Sequence, residues 1–127
     1  MKNLSLLARI MFGVPIAFIG LGHFIQTNFF TMQFTSHINI GPYMMMISGI
    51  FLIAAGISIA LNKFVVPATL ALSVMIFIII VSIHIPNYFK GNETEKAFAM
   101  FALLKDISLL GGSILVMDLE FLKSKSQ

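Results

Sequence analysis

Lys105 and Asp106 stand side by side near the middle of an oily run, residues 97–117. At ~1.5 Å per residue such a run crosses a hydrocarbon layer of about 30 Å. A charged side chain at that depth costs roughly 2.5–3.5 kcal/mol on insertion scales, so two in succession call for a protein interior or a polar cavity that accepts them. Neighbours on a helix point about 100° apart, and each therefore needs its partner on another helix. Lys105 shares its face with Phe98, Phe101, Ser108 and Gly112; Asp106 shares its side with Ala99, Ala102 and Ser113.

Two chemistries fit these residue types. In the first the charges lock the packing, with Lys105 donating to carbonyls freed near Pro15 and Asp106 paired to it or to a histidine. In the second, the aromatic face of Lys105 lines a polar pocket for a flat, carbonyl-bearing isoprenoid such as a quinone. Lys105 is then the donor, and Asp106 with His84 or His23 relays protons. His23 and His84 end two parallel helices at similar depth, which raises bis-histidine haem ligation as the less favoured alternative. No metal site is assigned, and the absence of cysteine excludes thiolate ligands, thiol redox chemistry and a disulfide framework.

The elements that must hold these residues are membrane helices. With 58% hydrophobic and 10% charged residues in 127, against about 25% charged for a soluble domain, the composition suits four crossings and no separate soluble domain. The expected architecture is all-α: a single four-helix transmembrane domain over residues 1–127, with helices at about 5–24, 42–61, 65–84 and 95–118. The net charge of +3 accompanies no basic run or stacking platform, which argues against nucleic acid and for loop charges that set orientation. An N-in, C-in arrangement puts Lys2, Arg9, Lys63, Lys123 and Lys125 inside and only Lys90 and Lys96 outside.

In the first helix, Arg9, Gly13, Ala17, Gly20 and His23 fall within an arc of about 120°. Gly49 and Gly56 head a matching small-residue stripe in the second, so Arg9, Gly13, Gly20, Gly49, Gly56 and Gly112 are packing and interface residues. Arg9 is expected to snorkel or to pair with Asp118 or Glu120. A retained first helix, kinked at Pro15, is followed by one long extracytoplasmic connection, 25–41, which contains His37 and suits an interfacial segment or a lid. Pro42 opens the second helix, Asn62-Lys63 is a short link to an antiparallel third, and Ile85-Pro86 is expected to stop that third helix. Asn92 and Glu95 have the spacing of a capping box for the fourth.

The string Lys105-Asp106-Ile107-Ser108-Leu109-Leu110-Gly111-Gly112, the His84-Ile85-Pro86-Asn87 corner, and Arg9 followed by a glycine-rich helix ending Gly22-His23-Phe24 together resemble the DoxX family, over about residues 7–119. The resemblance implies a four-helix protein of the inner membrane linked to quinone-dependent respiration, at most an accessory subunit of a quinone-linked oxidoreductase. It implies a membrane or membrane-associated redox partner and admits a homo-oligomer. Where members carry a glutamate after the glycine of the second helix, this chain has Ile50, Phe51 and Leu52, so only Arg9, His23, His84, Lys105 and Asp106 are carried over. A distant animal relative is an assembly chaperone, so the alternative expectation is a non-enzymatic membrane scaffold in which the charges only fix helix packing.

Overall fold

The computed structural model describes residues 2–28 and 41–126. Of the expected lid or interfacial segment, 25–41, residues 29–40 with His37 lie outside the described residues, while Ile25 is the last residue of α1. Helix α1 spans Lys2–Ile25, α2 Pro42–Ala60, and α3 Val65–Ile79; a π-helical turn, Ile80–His84, then passes into α4, Ile85–Lys90, and α5 spans Glu93–Lys125. No strand occurs among the described residues. Four helical spans, with α3, the π turn and α4 counted as one, are long and apolar enough to cross a membrane.

The ends of these helices have local causes. Pro42 sits in the first turn of α2, where its missing N–H is no loss. At the other end Asn62 takes a left-handed φ of 57°, and the Lys63 N–H reaches the Ser58 carbonyl at 2.9 Å. The Asn62 N–H bonds Ile59 at 3.2 Å. This is a Schellman closure, with asparagine serving where glycine is commoner. The capping box at Asn92 forms in full: the Glu95 N–H donates to Asn92 Oδ1, and the Asn92 N–H donates to Glu95 Oε2, both at 2.9 Å.

The third span differs from expectation. It does not stop at Ile85-Pro86 but runs on to Lys90. In a regular α-helix the ring of Pro86 would strike the carbonyl four residues back. Here the Ile85 N–H reaches back five residues to Ile80, and Pro86 falls in the first turn of α4, where no donor is needed. One wide turn therefore absorbs the proline without ending the helix. Pro15 likewise lies inside a continuous α1.

Packing follows the small residues. A Cβ built on Gly20 would stand 2.7 Å from the Gly49 carbonyl oxygen, so α1 and α2 touch backbone to backbone. Beyond that seam, Ile16, Leu52, Ala55, Ile59, Val65, Leu72, Ile76 and Ile80 form one buried cluster. Helix α2 packs on α3, and α3 on α5. Between α1 and α5 the described contacts are local: Phe12 lies over Gly112, where a Cβ would be 3.0 Å from its ring, and Arg9 reaches toward Glu120.

Candidate functional site

Along α5 the buried residues are Ala99, Asp106 and Ser113, seven apart on one stripe. The π turn sets His84 against the middle of that stripe. His84 Nε2 and Asp106 Oδ2 are 2.9 Å apart, both side chains almost wholly buried, with the ring N–H donating to the carboxylate. Asp106 is thus held from a neighbouring helix, one of the partners its type and depth call for. Its other oxygen, Oδ1, lies 3.0 Å from Lys105 Nζ.

Lys105 itself departs from expectation twice. Its partner is its own neighbour rather than a group on another helix, because a four-carbon stem can fold back across the 100° that separates adjacent side chains. It is also not enclosed, since 59% of its side chain is exposed. The reason is rotational: with Asp106 aimed at the core, the residue before it must sit at the edge of the outward face. Phe98 and Phe101, at 67% and 68% exposed, and Ser108 stand on that same outward face, so they line no interior pocket. Ser108 Oγ donates to the Leu104 carbonyl at 3.0 Å. On the third span Phe77 is exposed as well, while Thr69, Ser73 and His84 are buried.

The remaining residues carried by spacing are placed elsewhere. His23 is buried on α1, its Nδ1–H donating to the Ile19 carbonyl at 2.8 Å and its Cβ packed against Gly49. The histidine that meets Asp106 is His84, on the third span, rather than His23. Among the described residues no cluster of three His, Asp or Glu side chains could hold a metal ion. Arg9 reaches Glu120 at 3.8 Å, and its Nε is buried without a hydrogen-bond partner. Glu120 also takes Lys123.

Spacing alone missed one feature of the interior. Ser73 Oγ donates to Ser113 Oγ at 3.0 Å, Ser113 donates to the Thr69 carbonyl at 2.9 Å, and Thr69 Oγ1 donates to Val65 at 2.8 Å. Every hydroxyl proton is spent inside this short ladder, which therefore staples α3 to α5. The clue available in the sequence was that Asp106 and Ser113, seven residues apart, share one side of their helix, so that a polar partner for Asp106 implied a polar surface beside Ser113 as well.

The fold and the His84–Asp106–Lys105 chain thus describe a helical bundle with the character of a multi-pass membrane protein, carrying one charged cluster at the depth of its apolar spans. No family model matches the chain, and no curated protein or solved structure matches it either. The resemblance to the DoxX family rests on the residues quoted for it.

Proposed function

We propose that this chain is a DoxX-like integral membrane protein of the inner membrane, a subunit or partner of a membrane redox complex that offers a polar intramembrane site to a quinone-like isoprenoid. One observation carries the reading: Lys105, Asp106 and His84 form a continuous polar chain that begins on the outward face of α5 and ends in the core. Lys105 lies within a few ångströms of the middle of the apolar run, and its stem cannot carry the ammonium to either boundary, about 12 Å or more away. A lipid-soluble carbonyl compound arriving sideways through the acyl layer meets that ammonium directly. Phe98 and Phe101 flank the approach and suit a flat ring.

In this reading Lys105 donates to the carbonyl, Asp106 fixes the ammonium through Oδ1, and protons pass between His84 and the ligand by way of the carboxylate. The electrons belong to a partner subunit. The test is equilibrium binding of a short-chain quinone to the reconstituted protein. Lys105→Ala and Asp106→Asn should each weaken it about tenfold, the worth of one charge-assisted hydrogen bond, with the bundle still helical by circular dichroism. Unchanged binding in both variants defeats the proposal.

A second reading is favoured by the depth of the His84–Asp106 contact, which clamps α5 to the π turn. On it the protein is an assembly scaffold and the charges fix packing alone. The same substitutions then lower stability and lose the partner, with no dependence on quinone.

A further inference from the structure

A second feature lies toward the other end of α5 and involves none of these three residues. Between α5 and the start of α3 runs an open groove of about 660 Å³, lined by Val66, Gly111, Ile114, Leu115 and Phe121, with Asp118 among its lining residues. Its floor is a notch: nothing lies within 4 Å of the point where a Cβ on Gly111 would stand. From Gly111 to Asp118 the helix rises about 10 Å, two-thirds of the hydrocarbon of one leaflet. Asp118 lies about 16 Å from the middle of the apolar run, at the level where hydrocarbon gives way to headgroups.

Asp118 is exposed and forms no ion pair among the described residues. Of the cations expected at this end, Arg9 and Lys123 are drawn to Glu120 and Lys125 lies over the Phe121 ring, and among the described residues none pairs with Asp118. An apolar trough that carries a carboxylate without an ion-pair partner at headgroup depth is complementary to a molecule with a hydrocarbon chain at one end and a hydrogen-bonding cation at the other.

We propose that this groove binds one acyl chain of an aminophospholipid of the phosphatidylethanolamine type, whose primary ammonium donates to Asp118. A choline headgroup lacks the N–H for that contact, and a net anionic headgroup is repelled by the carboxylate.

The experiment is native mass spectrometry of the delipidated protein offered equal amounts of phosphatidylethanolamine, phosphatidylcholine and phosphatidylglycerol with matched acyl chains. The ethanolamine lipid should be retained about fivefold over the choline lipid, the scale of one exposed charged contact. Asp118→Asn should erase that preference. Gly111→Leu, whose side chain enters open space, should lower retention of all three lipids with no change in melting temperature. Equal retention of the three by the natural chain, or a preference that survives Asp118→Asn, overturns the proposal. So does a Gly111→Leu variant that loses a dimer while its lipid retention is unchanged, because the groove is then an interface between copies.

Discussion

Gly13 and Gly56 meet back to back: a Cβ added to either would fall 2.5 Å from the other's carbonyl oxygen. No side chain can occupy that space without parting α1 from α2, and in lipid, where apolar surface gives helices no reason to prefer each other, close backbone approach is what holds them. Gly56→Val should therefore destabilise the bundle by about 2 kcal/mol or more, seen as a lower midpoint in detergent unfolding. Gly111→Ala, placed in open space, is the control and should leave that midpoint within about 0.5 kcal/mol. Equal effects at the two glycines would contradict the packing described.

The His84–Asp106 contact makes a sharper prediction through a double-mutant cycle. Removing one member leaves a buried polar or charged group unpaired, so His84→Leu or Asp106→Leu alone should cost about 3 kcal/mol. Removing both should cost less than the sum of the two, by about 1 kcal/mol or more. Additive losses would mean that the two side chains do not act on each other.

Ser113 links two helices through its single hydroxyl, accepting from Ser73 and donating to the Thr69 carbonyl. Ser113→Ala is expected to cost about 1 kcal/mol, within the range of interhelical hydrogen bonds in membranes. Ser124→Ala removes only an exposed hydroxyl bonded within its own helix and should be neutral by the same unfolding assay.

At the start of α5, Asn92 and Glu95 satisfy each other's backbone donors. Asn92→Ala should cost about 1 kcal/mol and fray the first turn, raising amide hydrogen exchange at Glu93 to Lys96. Asn92→Asp, which keeps the accepting oxygen, should restore protection.

The four apolar spans, the capping box, the Pro42 start and the glycine stripes were all legible in the sequence, because hydrophobic length, cap chemistry and small-residue spacing are local properties of the chain. So was the place of Lys105 and Asp106 near the middle of one apolar run, which follows from counting residues along it. Spacing also suggested a histidine among the partners for Asp106. It could not say which, since counting residues assigns His23 and His84 similar depths and the order of helices around the bundle is not written in either helix alone. The rotation of α5 about its axis decided the rest. With Asp106, Ala99 and Ser113 turned to the core, Lys105, Phe98 and Phe101 had to face outward, and no property of one helix fixes that rotation. Whether Pro86 ends a helix or is absorbed by a wide turn was likewise settled by tertiary packing, because the π turn is also what aims His84 at α5.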